Sequence, residues 1–245
     1  MTAPAAAGAG ARPDLRVVSY NIHQCVGVDG RRDPARIAEV LRQLDADVVG
    51  LQEVDARPSL ESPDSVQMDY LGRMLGLTAI PGPTIHRHDG TYGNALLTRL
   101  PVRDVRQIEL TIYRREPRAA LDVDLEWQGQ IARVIVTHLG LLPGERRLQV
   151  KRLIAAIGAR HEDVVVLCGD INEWFGVGRP LRWLHARLGR AGSVRTFPSF
   201  LPLFALDRIW VSPRCRLVSV FAPRGEHTRA ASDHLPLVAD LALPG

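Results

Sequence analysis

The sequence predicts one α+β domain, and two observations carry that prediction. Short, continuous, β-branched apolar runs recur along the chain, as in DVVGLQEV, QIARVIVTHL and DVVVLCGD, the pattern of strands buried on both faces. Segments with apolar residues at helical spacing are scattered among these runs rather than gathered at one end, which fits helices layered on sheets.

Taken in order, LRVVSYN (Leu15 to Asn21) reads as a strand, followed by a loop carrying Gly27, Asp29 and Gly30. DPARIAEVLRQLDA places Ile37, Val40, Leu41 and Leu44 on one helical face, with Asp33 as N-cap and Pro34 at the first helical position. Asp47 to Val54 is a second buried strand, and Val66 to Leu75 a second helix. GNALLTRLPVRDVRQIEL holds two strands broken at Pro101. ALDVDLEW and QIARVIVTHL flank Gly129 as a hairpin. GERRLQVKRLIAAIGAR is a helix whose apolar side is read as Leu148, Leu153, Ile154 and Ile157. After the VVVL strand come a shorter helix over Leu181 to Leu188 and the strands DRIWVS, RLVSVF and LPLVADLAL.

With 245 residues and 46% apolar content the chain can bury a substantial core. No apolar run approaches the roughly 18 residues of a membrane span. MTAPAAAGAGARPD lacks a basic segment ahead of an apolar one, so it does not read as a signal peptide; residues 1–13 are expected to be a flexible tail and 14–245 one domain. The three cysteines, Cys25, Cys168 and Cys215, are far apart and lack CxxC spacing, which argues against a disulfide framework or zinc site and fits a reducing, cytoplasmic setting. Net charge is +4, with Lys151 the only lysine. The arginine excess is read as compositional, since no dense basic run marks a nucleic-acid surface.

Polar residues cluster at the ends of the apolar runs. Asn21 ends the first strand, Gln52 and Glu53 the second, His138 the run RVIVTHL, and Asp170 and Asn172 the VVVL strand. Asp207 opens DRIWVS, and Asp233-His234 precedes LPLVADL. Each has an ordinary explanation alone, as turn residue, cap or surface carboxylate. Together they supply hard oxygen ligands suited to Mg²⁺ or Mn²⁺, and histidines for proton transfer or phosphate contact. This is the inventory of a metal-assisted phosphoester hydrolase.

The set SYNIH, LQEVD, YGNALLTRLPV, THLGL, GDINEW, LDRIWVS and SDHLPLVADL, in this order from Leu15 to Leu243, resembles the endonuclease/exonuclease/phosphatase superfamily with its DNase I-like fold. The resemblance implies a four-layer α/β/β/α sandwich, two packed and mostly antiparallel sheets with outer helices, and an active site where strand ends converge. It implies Glu53 as principal metal ligand, with Asn21 beside it and Asp233 as ligand or orienter. By the same resemblance Asp170 would position or activate water, and Asn172 would hold phosphate or nucleophile. Asp207 and His234 would form a pair whose histidine is general base or phosphate contact. The pair is expected on parallel or near-neighbour strands at one end of a sheet. His138 would contact phosphate or assist the leaving group.

Departures narrow the substrate. The family's abasic-site endonucleases carry an acid where this chain has His23 and a tyrosine where it has His138. DNA-cutting members also carry basic or aromatic insertions, whereas this chain is only 5% aromatic. A small-molecule or lipid-head-group phosphate ester, acted on by a monomer, is favoured over nucleic acid; a DNase I-like nuclease and a catalytically inactive binding module on the same fold are the alternatives. Arg118, Tyr92, Asn94 and His23 are candidates for substrate contact. Arg146 and Arg147 are expected to face solvent from the start of a helix. The loop FPSFLPLF (Phe197 to Phe204) could form a substrate-side wall or a lipid-facing patch, and packing against the sheet ends is the favoured expectation.

Overall fold

The apolar runs become strands because both of their faces are covered. In the strand Val164–Asp170, Val164, Val166 and Cys168 point into a layer between two sheets, while Val165 and Leu167 point into a second layer beneath helices. At about 1.5 to 3 kcal/mol for each fully buried large aliphatic side chain, this double burial is the main force holding the strand. A computed structural model describes residues 13–57, 66–160 and 162–242; the tail expectation, apart from Pro13, falls outside them.

In chain order the elements are β1 (Leu15–Asn21), α1 (Pro34–Leu44), β2 (Val48–Ala56), α2 (Gln67–Leu75), β3 (Thr78–Arg87), β4 (Gly90–Thr98), β5 (Val102–Glu109), β6 (Ala119–Trp127), β7 (Gln130–His138), α3 (Pro143–Gly158), β8 (Val164–Asp170), α4 (Arg179–Leu188), β9 (Asp207–Ser212), β10 (Leu217–Phe221), α5 (Glu226–Ala231) and β11 (Leu237–Leu241). They build a six-stranded sheet, β10-β11-β1-β2-β4-β3, and a five-stranded sheet, β5-β6-β7-β8-β9. The break at Pro101 is where the chain leaves one sheet for the other. Val17, Val48, Leu96, Val123, Val134, Val166 and Ile209 fill the space between the sheets. Ile37, Leu41, Leu71 and Ala231, from α1, α2 and α5, cover the outer face of the first sheet. Leu153, Ile157 and Leu184, from α3 and α4, cover that of the second. The result is the four-layer α/β/β/α sandwich, mostly antiparallel.

Local chemistry explains the boundaries. Asp33 accepts hydrogen bonds from the backbone N–H groups of Ala35 and Arg36 at the start of α1, a cap contributing about 1 kcal/mol. Gln128 and Gly129 both take positive φ between β6 and β7, as a tight two-residue hairpin turn requires. Two expectations need correction. The apolar side of α3 is Val150, Leu153 and Ile157 with Ile154 packed beside them, while Leu148 faces solvent. Arg146 is buried rather than solvent-facing: its guanidinium reaches the carbonyls of Leu141 (2.5 Å) and Gly140 (3.3 Å) and the carboxylate of Glu173 (3.4 Å).

The two parallel pairs bring the polar strand ends level with one another. β1 pairs with β2 so that Asn21 lies beside Gln52. β7 pairs with β8 so that His138 lies beside Asp170, and β9 sets Asp207 opposite Asp170.

Candidate active site

The polar residues emerge together because their strands end together. In β2 the pairing with β4 shifts register between Leu51 and Val54, and Glu53 sits in that bulge with φ of 58°. The bulge turns Glu53 out of the ladder toward the strand ends. Gly169 prepares the turn at Asp170: its φ is 145°, and a Cβ there would lie 1.8 Å from the Thr137 carbonyl oxygen, so only glycine fits. Asn172, also at positive φ (53°), donates its backbone N–H to Asp170 Oδ1 (2.9 Å) and its side-chain amide to the Leu139 carbonyl (2.8 Å).

Asp170 is the hub. Its Oδ2 accepts from Asn21 Nδ2 at 3.2 Å and faces His138 Nε2 at 3.5 Å and His234 Nε2 at 3.6 Å. Asn21 Nδ2 also donates to Glu53 Oε1 at 3.0 Å, and Asn21 Oδ1 accepts from the His23 backbone N–H. Asp207 is fully buried; its Oδ2 bonds His234 Nδ1 at 2.8 Å and accepts from Thr196 Oγ1 at 2.5 Å, while Oδ1 has no hydrogen-bond partner. Ligating atoms of Asp170, Asp207 and His234 all lie within 4.8 Å of one another.

These contacts set the protonation states. Burial raises the Asp170 carboxyl to about 6, with Asp207 adding to the rise and His234 opposing it. Burial opposes charge on His234, but Asp207 and Asp170 outweigh it and lift the ring to about 10. Burial, Arg118 and His234 hold His138 well below the usual histidine range. Burial and the Glu53 carboxylate push the Tyr92 phenol up.

The remaining expected residues form the surround. Tyr92 lies on β4 close enough to the Glu53 carboxylate to feel its charge. Arg118 is buried just before β6, its Nη2 3.3 Å from Glu116 and its Nε without a hydrogen-bond partner. Asn94 is buried and donates to the Ala119 carbonyl, so it braces the start of β6. His23 and Asp233 stand at the rim, half exposed, with His23 Nδ1 3.8 Å from Asp233 Oδ1. The Asp207–His234 pair does form, but between the two sheets: β9 lies in one and β11 in the other, with His234 in the loop ahead of β11.

Two polar residues escaped the sequence reading. Thr196 holds Asp207 from eleven residues away, a separation without a local signature. Ser232 donates to the Asn21 carbonyl (2.8 Å) and accepts from the His234 backbone N–H (3.3 Å), tying the loop ahead of β11 to the end of β1; its place directly before Asp233-His234 was the available clue. The FPSFLPLF expectation also needs correction. Phe197 packs on the His234 ring, centroids 4.8 Å apart, but Phe200, Leu201 and Leu203 project into solvent.

Two packed sheets with an acid–amide–histidine cluster at their converging strand ends define a class, and the chain belongs to it: the sequence profile of the endonuclease/exonuclease/phosphatase family matches residues 18–234. YbhP of Escherichia coli K12 is 28% identical over 94% of this chain and 96% of its own length. Among solved structures, an endonuclease/exonuclease/phosphatase from Beutenbergia cavernae superposes with a TM-score of 0.73 at 25% identity, covering 96% of this chain and 72% of that one. A mannosyl-6-phosphatase from Bacteroides thetaiotaomicron shares the fold with a TM-score of 0.77 at 18% identity, over 94% of this chain and all of that one (100%).

Proposed function

We propose that this chain is a divalent-metal-dependent hydrolase of phosphoric esters that acts on a small-molecule or lipid-head-group mono- or diester by in-line attack of water, as a monomer with one catalytic domain over residues 14–245. The observation that supports this most is the array of Asp207, His234 and Asp170, in which one imidazole nitrogen is bonded to a buried carboxylate and the other faces a second carboxylate at 3.6 Å.

The residues fit a hard cation. Asp170 and Asp207 share one buried cluster with His234, the Asn21 amide links Asp170 to the Glu53 carboxylate, and the buried Asp207 Oδ1 lacks a partner. Oxygen donors of this kind suit Mg²⁺ or Mn²⁺. Glu53 with Asn21 beside it, and Asp233 at the rim, would hold the ion. There it would supply neutralisation of phosphate charge and a more acidic bound water.

The chain's own groups divide the rest of the work. Asp170, fixed by Asn21 and the Asn172 N–H, takes the proton of the attacking water. His234, with Nδ1 committed to Asp207, turns Nε2 to the phosphate oxygens. His138 faces the same Asp170 oxygen from a second direction and stabilises the departing oxygen. Asn172 steadies the nucleophile's side of the site. Arg118, Tyr92 and His23 orient the substrate, and Asn94 holds the start of β6 behind them.

The test is turnover of bis-p-nitrophenyl phosphate and p-nitrophenyl phosphate beside plasmid DNA and RNA, each with Mg²⁺, Mn²⁺ or excess EDTA. Metal-dependent ester hydrolysis that EDTA abolishes, with slower cleavage of nucleic acid, is expected. Hydrolysis indifferent to EDTA removes the metal from the reading, and nucleic acid cleaved far faster than the small esters reverses the substrate preference.

A further inference from the structure

The loop that was expected to pack against the sheet ends instead presents its apolar residues outward. Phe197 and Phe204 bridge in antiparallel fashion, and the N–H groups of Leu203 and Phe204 both donate to the Phe197 carbonyl. This closes a tight hairpin with Phe200 (64% exposed), Leu201 (57%) and Leu203 (52%) at its tip. Ser199 anchors it from below, its single hydroxyl proton shared between the carbonyls of Ser232 (2.7 Å) and Arg229 (2.9 Å) and its N–H donated to the Asp233 carbonyl. Beside the hairpin, the segment after Asn172 exposes Trp174 and Phe175 (73%). Trp174 meets Phe204 edge-on at 4.9 Å and Phe197 at 5.8 Å, and Phe197 lies on His234. An unbroken file of rings thus runs from the exposed patch to the candidate catalytic imidazole.

Two exposed arginines adjoin the hairpin, and the half-exposed Asp233 lies on its site side. Arg195 precedes the base of the hairpin, and Arg229 supplies the carbonyl that anchors it; both side chains are exposed. Apolar tips with a cationic border match an anionic lipid interface, where the tips enter the acyl boundary and the guanidinium groups meet phosphates. Large exposed apolar patches on folded proteins mark such sites.

We propose that the Phe197–Phe204 hairpin and the Trp174-Phe175 segment form a docking surface for anionic phospholipid membranes, beside the mouth of the site. What the surface delivers, an ester carried at the bilayer surface, rests on the hydrolase reading; the docking itself does not. Among the described residues no helix is long and apolar enough to cross a membrane.

Vesicle flotation of the full chain tests this, with vesicles of equal parts phosphatidylglycerol and phosphatidylcholine against phosphatidylcholine alone, at physiological salt. The wild-type chain is expected to float with the anionic vesicles, and the triple variant F200S/L201S/L203S to lose binding by about tenfold or more. Bis-p-nitrophenyl phosphate turnover by that variant should stay within about twofold of wild type, since the three side chains face solvent away from the reacting groups. A Phe200→Trp variant gives an independent readout: its emission should shift to the blue on adding anionic vesicles. Failure of the wild type to float, equal flotation of the triple variant, or no emission shift overturns the proposal. So does a concentration-dependent dimer that the triple variant dissolves, which would make a second copy the occupant. Vesicle binding without any ester turnover would leave docking standing and remove the hydrolase reading alone.

Discussion

Asp207→Asn is the most informative single change, because it removes charge and leaves shape. The carboxylate is fully buried, and its Oδ2 serves both His234 Nδ1 (2.8 Å) and Thr196 Oγ1 (2.5 Å). An asparagine oxygen can still accept both bonds, so the loss is the difference between charge-assisted and neutral hydrogen bonds, about 1 to 2 kcal/mol. For a chain of this length that lowers Tm by roughly 2 to 8 °C, leaving the protein folded at assay temperature. The catalytic effect should be far larger. His234 loses the strongest of the charges that lift it and the charge-assisted bond that aims Nε2 at the phosphate, and loss of one positioned donor to the reacting group costs on the order of 10² to 10³ in rate. The assay is kcat/KM on bis-p-nitrophenyl phosphate with Mg²⁺ for Asp207→Asn, His234→Ala and the double variant. Residues that act as a unit give non-additive losses, so the double variant should fall little below the worse single. Losses that multiply, or an Asp207→Asn enzyme with wild-type turnover, would refute the pairing as the working element.

Arg146→Met should cost about 3 to 5 kcal/mol in thermal or urea unfolding, since it leaves the buried Glu173 without its cation; adding Glu173→Leu should recover most of that loss. Asp124 is held below the usual carboxylate range, burial being outweighed by Arg106 and Arg160. Its contribution to stability is therefore complete above its unfolded value of about 3.9 and disappears as pH falls through the lower folded value, so Asp124→Asn should flatten the acid side of a Tm-against-pH curve while lowering Tm at neutral pH. Duplex DNA should bind weakly and release at physiological salt, because each phosphate contact releases counterions that added salt restores; tight binding that persists at that salt would contradict the substrate preference.

Much of the fold was legible because it rests on local patterns. The doubly buried strands read as continuous apolar runs, Asp33 and Pro34 announced α1, and Gly129 announced the β6–β7 hairpin. β3 did not show itself: Pro81 and Pro83 interrupt its pattern, and they are tolerated because β3 is an edge strand paired only with β4. The candidate site residues were legible as types at strand ends and the Asp207–His234 pairing was expected, while the route by which that pair meets was not. Asp207 and His234 come together across the two sheets, a contact that strand order within one sheet cannot supply. Arg146 looked like a surface arginine because its partners, the carbonyls of Gly140 and Leu141, carry no sequence signal. The Phe197–Phe204 loop misled for the opposite reason: its apolar composition implied burial, yet the hairpin's own backbone bonds hold its tip outward.

The central claim is a metal-assisted phosphoester site organised around Glu53, which Asn21 Nδ2 contacts at 3.0 Å. Glu53→Gln, measured by calorimetric titration with Mn²⁺ and by turnover of bis-p-nitrophenyl phosphate, tests it most directly. The substitution keeps the volume and the hydrogen bond and removes only the charge. Loss of Mn²⁺ binding and a fall in turnover on the order of 10³ or more, with an unchanged melting curve, is the expected result. A Glu53→Gln protein that binds Mn²⁺ as tightly as wild type and turns over at the wild-type rate would contradict it.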